Sequence, residues 1–260
     1  MIALRAPATL GALAARGGGD VRSDARVVGV ARVEDAGEGE LAPFLSRRFV
    51  REARAALARG AAVLADEALA RELASGAVWA HPHATWALAE VLEDCVAPSD
   101  RARWGEGCTF GENVVLGPRV VLGARVRVEA NAVIGRPGFG WATKGGEVRA
   151  VPQLGGVVIE DDVHVGALAT IDAGTLAPTR IRRGAKLDAH VHVGHNCDVG
   201  EGCILAAQTG LAGSVVLGRG VLVGGQAGFA DHVRVGDGAR IAAKSGVIGD
   251  VPAGAVVAGY

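Results

Sequence analysis

The sequence predicts a mainly β protein, a stack of parallel β-helix repeats behind a small α/β domain. Three observations predict it. After about residue 104 the chain keeps a six-residue period. Glycine supplies 40 of 260 residues, about twice the usual share of ~7%. Aromatic residues make up only 4% of a chain that is 50% hydrophobic. Such a chain builds its core from small aliphatic side chains and turns often. Ordinary amphipathic strands would repeat every two residues and helices every 3.6, so the period belongs to stacked repeats.

Each unit reads as an aliphatic residue, a small one, two variable ones, a small or β-branched one and a variable one. Units begin at Trp104, Phe110, Leu116, Leu122, Val128 and Ile134, then at Ile159, Val165 and Ile171. They run unbroken from Ile181 to Val247, giving 21 in all. First positions are expected to point inward and the small fifth positions to fill corners. Cys108, Cys197 and Cys203 occupy fifth positions and read as small buried residues. Glycine recurs at the second position, where a turn with φ > 0 is expected. No single unit could bury its own face, so stacked turns must supply the core. Residues 136–158, containing Gly138-Phe139-Gly140-Trp141, break the count and are expected to project as a loop. Ala177-Pro178-Thr179-Arg180 shifts the register once more.

Residues 1–98 lack the repeat. Strands are expected at Val27–Val33, Ala61–Ala65 and Ala77–Ala80, and helices at Ser46–Arg59, near Asp66–Ala74 and at Ala84–Glu93. The repeat domain then spans 99–260, after a junction at Pro98-Ser99-Asp100. Net charge is -1, which gives no general attraction to nucleic acid or an anionic membrane. No apolar run reaches the ~18 residues that span a bilayer. Four cysteines do not make a disulfide scaffold in this length. A reduced, cytoplasmic protein is expected.

The chemistry concentrates in Asp188-Ala189-His190-Val191-His192-Val193-Gly194-His195-Asn196, which holds three of seven histidines. Leu187, Val191 and Val193 take the inward positions, so the histidines should face outward or lie at corners. If three units make one coil, 18 residues above His195 lies Gly213, and 18 above that lies Asp231, beside His232. A histidine, a glycine amide and an Asp-His pair in one column suit acyl transfer: a general base, an oxyanion donor and polar groups for substrate. Asp188 would orient the imidazole. An ordinary surface histidine and a turn aspartate are the plain alternatives.

The order of several motifs resembles UDP-3-O-acylglucosamine N-acyltransferase of lipid A biosynthesis, a hexapeptide-repeat transferase. The motifs are Gly138–Ala142, Val151–Gly155, Ala169–Asp172, Asp188–Asn196, Ala212-Gly213-Ser214 and Gly224-Gly225-Gln226. The resemblance implies a left-handed parallel β-helix with three units per coil, so about seven coils, assembled as a homotrimer with active sites between neighbouring prisms. It implies His195 as base, assisted by Asp188, and Gly213 as oxyanion donor. His232, Asn196 and Gln226 would contact substrate, and Phe44 and Phe49 would hold the base of a UDP-linked amino sugar in the N-terminal domain. The 3-hydroxyacyl group would arrive as a phosphopantetheine thioester on acyl carrier protein, with no metal or other cofactor. The 138–158 excursion would help form the subunit interface. Departures are Ala173 in place of the family's arginine, no asparagine between Phe44 and Phe49, and an end at Tyr260 without the family's helical extension. Nucleotide and donor identity therefore stay open.

Three rivals remain at this level. One is transfer from a CoA thioester to another nucleotide-linked amino sugar. A second is a zinc hydratase of the left-handed β-helix carbonic anhydrase type, using His164, His190 and His195. The third is a non-catalytic trimeric scaffold.

Overall fold

A computed structural model describes residues 1–97 and 99–259; of the expected junction, Pro98 lies outside the described residues. The chain forms two compact units. The first comprises residues 1–97 together with 140–152, and the second the remainder.

The first unit is a six-stranded sheet with helices. In chain order it contains β1 (Ile2–Thr9), α1 (Leu10–Gly17), β2 (Asp20–Val21), β3 (Arg26–Val30), β4 (Glu40–Phe44), α2 (Val50–Ala58), β5 (Ala62–Ala65), α3 (Glu67–Ala70), β6 (Val78–Ala80) and α4 (Ala84–Glu93). The sheet order is β1-β3-β4-β5-β6-β2. Strands β3 to β6 run parallel, and β1 and β2 close the edges antiparallel. The central strands are buried on both faces, so β5 is a continuous apolar run, Ala62-Val63-Leu64-Ala65, with every residue buried. Helix α1 and strands β1, β2 and β4 were not expected. Strands β1 and β4 each carry a proline, Pro7 and Pro43, and β1 buries only Ile2 and Leu4, so neither has a clean strand signature.

The expected loop at 136–158 is more ordered than its sequence suggests. Strand Val133–Pro137 runs into it, and strands Trp141–Lys144 and Glu147–Ala150 form an antiparallel hairpin. Gly145 and Gly146, both at positive φ, make the turn. This hairpin packs on α4: the Arg149 guanidinium lies 4.6 Å from the Trp86 ring and 3.2 Å from Glu93.

The second unit is a left-handed β-helix. Its short strands stack into three parallel sheets of seven, eight and seven strands. All 21 expected first positions fall within these strands, and Val256–Val257 adds one the period missed. The core is a column of first- and fifth-position side chains, from Val120 to Val251. Cys197 and Cys203 lie in it, and burial pushes their thiols up to about 12 and about 11. Such thiols stay protonated and unreactive.

The turn chemistry differs from expectation. Positive φ falls at the fourth position of the unit, where Asn113, Arg125, His190, Asn196, Gln208, Ser214, Gln226 and His232 all adopt it. Second-position glycines serve close packing instead. A Cβ on Gly194 would lie 2.8 Å from the Leu211 carbonyl oxygen, and one on Gly105 2.8 Å from the Gly123 carbonyl carbon. At these glycines adjacent coils approach too closely for a side chain, whereas the second positions at Asp172 and Asp188 hold one.

Candidate functional site

The site is built at one corner of the prism, after strand His192–Val193. His195 follows Gly194 there, and Gly138 and Gly213 crowd its ring. A Cβ on Gly138 would lie 2.5 Å from His195 Cβ, and one on Gly213 2.7 Å from both Nε2 and Cε1. The imidazole is thus packed between two glycines, one from the start of the excursion and one from the coil above. The column expected by counting 18 residues is present. Ser214 N–H donates to the His195 carbonyl (2.8 Å), and His232 N–H to that of Gly213 (2.9 Å). Among the described residues no protein acceptor takes the Gly213 N–H.

Asn196 fixes the ring. Its Oδ1 lies 2.9 Å from His195 Nδ1, 2.9 Å from the Thr175 hydroxyl and 3.2 Å from the Thr175 N–H. The Asn196 N–H donates in turn to Thr179 Oγ1 at 2.9 Å. An amide oxygen can only accept, so Nδ1 carries a proton, and in the neutral form of the ring Nε2, on the Gly213 side, keeps its lone pair. Asn196, expected to touch substrate, holds the imidazole through Oδ1.

Asp188 does not reach His195. It lies at the preceding corner, exposed, and its carboxylate accepts from the N–H groups of Ala189 (2.7 Å) and Ala207 (3.1 Å). It is a turn cap. Gln226 belongs to that same corner column, where it donates to Gln208 at 2.6 Å. Phe44 is also displaced from its expected role. It sits on β4 with no exposed surface, packed in the core of the first unit, so it cannot stack on a base. Phe49 is half-buried, with the Arg48 guanidinium 4.5 Å from its ring. His232 shares the His195 corner, with its Nε2 3.9 Å from Asp231.

The acidic group beside the histidines is Asp172. It is buried, with Arg136 Nε 2.7 Å from Oδ1 and His192 Nε2 3.9 Å from Oδ2. Burial pushes its carboxyl up, while the charges of Arg136, His192 and His195 pull it down. Burial pushes His192 down, against the pull of Asp172. The Ile171-Asp172 motif was visible in the sequence, but nothing in the count placed it near His195. Within one chain the three histidines of the zinc reading do not converge. His164 pairs with Glu129 (3.0 Å), His190 lies at the Asp188 corner, and no metal-binding cluster occurs among the described residues.

Fold and corner together define a hexapeptide-repeat β-helix with a histidine site at one corner. A family profile described as bacterial transferase hexapeptide (six repeats) matches residues 178–213, and one described as hexapeptide repeat of succinyl-transferase matches 103–136. Within that class, the chain is similar to proteins named UDP-3-O-acylglucosamine N-acyltransferase. The protein of that name from Dechloromonas aromatica is 51% identical over 89 residues, 34% of this chain and 26% of the relative. That from Anaeromyxobacter dehalogenans is 41% identical over 133 residues, 49% of this chain and 38% of the relative. The chain thus matches about a quarter to two fifths of the length of these relatives. Among solved structures, LpxA from Acinetobacter baumannii has a TM-score of 0.54 at 25% identity, covering 62% of this chain and 60% of that one. A UDP-N-acetylglucosamine acyltransferase has a TM-score of 0.51 at 28% identity, covering 63% and 69%.

Proposed function

We propose that the protein is an N-acyltransferase. It moves a 3-hydroxyacyl group from a phosphopantetheine thioester on acyl carrier protein to the 2-amino group of a UDP-linked 3-O-acylglucosamine. The observation that carries this reading is the His195 corner. An imidazole with Nδ1 held by Asn196 presents Nε2 on the side of Gly213, whose N–H has no protein acceptor among the described residues. A base and an oxyanion donor side by side are what acyl transfer to an amine requires. The amine nitrogen attacks the thioester carbonyl carbon and passes a proton to His195 Nε2, while the Gly213 N–H stabilises the oxyanion. The C–S bond then breaks and the thiolate takes the proton back from His195, leaving an amide and a thiol.

The partial similarity to enzymes named for this reaction supports the substrate class. On this reading the chain works as a cytoplasmic homotrimer without a metal or other cofactor, His232 contacts substrate, and the first unit contributes nucleotide binding. Phe49 rather than Phe44 is the ring available there. The buried state of Phe44 favours one second reading, a different nucleotide-linked amino sugar with a CoA donor.

Mass-spectrometric turnover of UDP-3-O-acylglucosamine with 3-hydroxyacyl carrier protein tests the proposal. Product formed by wild type and lost in a folded His195→Ala variant supports it. No product from folded wild type refutes it and moves the screen to other amino-sugar nucleotides and CoA thioesters. Among the described residues no helix is long and apolar enough to cross a membrane, so the assay can be run without detergent.

A further inference from the structure

Among the described residues Asp172 is the one acidic side chain that is fully buried. Other turn aspartates of the solenoid, Asp161, Asp188 and Asp237, spend their carboxylates on backbone N–H groups of neighbouring corners. Asp172 caps nothing. Its side chain is 1% exposed, and its partners are Arg136 and His192. The pairing is imperfect: Arg136 Nε is close to Oδ1 but off the hydrogen-bond axis, and Nη2 reaches Oδ2 only at 3.4 Å. A buried carboxylate so loosely satisfied is a poor stabilising device.

Local structure is nevertheless arranged to keep it there. Strand Val133–Pro137 is bulged at Gly135 (φ 85°), so that Arg136 rather than Gly135 stands opposite Asp172. Thr170, directly below His192, holds that ring through Oγ1 and Nδ1, 2.8 Å apart. Directly above His192 lies Gly210, and a Cβ there would meet open space. The outer side of His192 is therefore uncovered by its own chain, while its Nε2 faces the carboxylate.

We propose that Asp172, with Arg136 as its counterion, is a positioning residue for the His195 site, a fixed counter-charge that acts through His192. It exchanges no proton. When His195 takes a proton from the attacking amine, the cluster gains a positive charge, and the Asp172 anion offsets it without moving. The charged groups facing His192 are Asp172 and Arg136 from the coils below and His195 on its own coil; the coil above offers only Gly210. The proposal rests on the acyl-transfer reading for its kinetic consequence. Its electrostatic content stands apart from that reading.

The test compares full-length wild type with Asp172→Asn, Arg136→Met and Arg136→Lys in three measurements: steady-state kinetics, thermal melts and a nitrogen NMR titration of the His192 imidazole. An adjacent anion shifts a titration by about one pH unit or more. Asp172→Asn should therefore lower the His192 midpoint by about one pH unit and kcat about tenfold to a hundredfold, with KM nearly unchanged. Its melting temperature should be equal or higher. Arg136→Met should lower kcat, and Arg136→Lys should largely restore it. An unmoved His192 midpoint overturns the proposal. So does a fall in melting temperature that accompanies the rate loss, which would make Asp172 structural. Absence of turnover by wild type would defeat the acyl-transfer reading alone, and the NMR midpoint would still decide whether Asp172 is the counter-charge.

Discussion

Two successive corners of the same coil each carry a histidine, and only one of them is built into a site. At the first, His190 is exposed at φ 59° and Asp188 caps the N–H groups of Ala189 and Ala207; Gln208 and Gln226 stack above. At the second, His195 is wedged between Gly138 and Gly213, with Nδ1 tied to Asn196. The residue types are similar and the repeat is the same. What differs is the coil underneath. The first corner rests on regular turns. Beneath the second, the excursion after Pro137 brings Gly138 against the ring, and Thr175 and Thr179, from the extra residues that follow, hold Asn196, with Gln153 behind Thr175. A solenoid makes a site where its period is broken.

Substitutions can break or sharpen that contrast. The largest effect is expected at His195: replacement by Ala should cut turnover about 10³-fold, in the range for general-base removal, with little change in melting temperature. His190→Ala at the first corner should leave turnover within about twofold, consistent with an ordinary surface residue. Gly213→Ala places a methyl against the imidazole and should lower kcat about a hundredfold by displacing base and oxyanion donor together. Asp188→Ala should leave kcat nearly intact while costing about 1 kcal/mol of stability in urea melts, the usual value of a lost backbone cap. An Asp188→Ala enzyme as crippled as His195→Ala would erase the distinction between the corners.

The smallest expected effect is on stability against pH. Because burial depresses His192, the unfolded chain takes up its proton first as pH falls. The contribution is therefore full above the ordinary histidine value of about 6.5 and is lost as pH drops through the lower folded value. Melting temperatures from pH 7 down to 5 should fall less steeply for His192→Gln than for wild type.

The period of the solenoid, its inward positions from Leu122 on and the buried Cys197 and Cys203 were legible in the sequence, because one spacing rule repeats through them; in the first coil Trp104 and Phe110 are exposed and Cys108 is only half-buried. Counting by 18 also found Gly213 and the Asp231-His232 pair above His195, where the coils are regular. Below His195 the count fails. Thr170 is 22 residues from His192, and Arg136 is 36 from Asp172, since inserted residues lengthen those coils. For that reason Asp188, near in sequence, stood in for Asp172, near in space. Position four carries the positive φ without requiring glycine, so glycine at position two suggested the wrong turn. Phe44 lies on β4, a strand interrupted by Pro43, and nothing local marked it as core.

The two kinds of glycine make this solenoid a footprinting device. At second positions such as Gly194, any added carbon meets the backbone of the next coil, and a library would reject every substitution there. At Gly210 and Gly228, on the outer face above His192, an added carbon meets open space within the chain. Intolerance at those two positions could not come from the fold of one chain. A deep mutational scan selected for activity would then outline, residue by residue, whatever molecule lies against that face while the protein works.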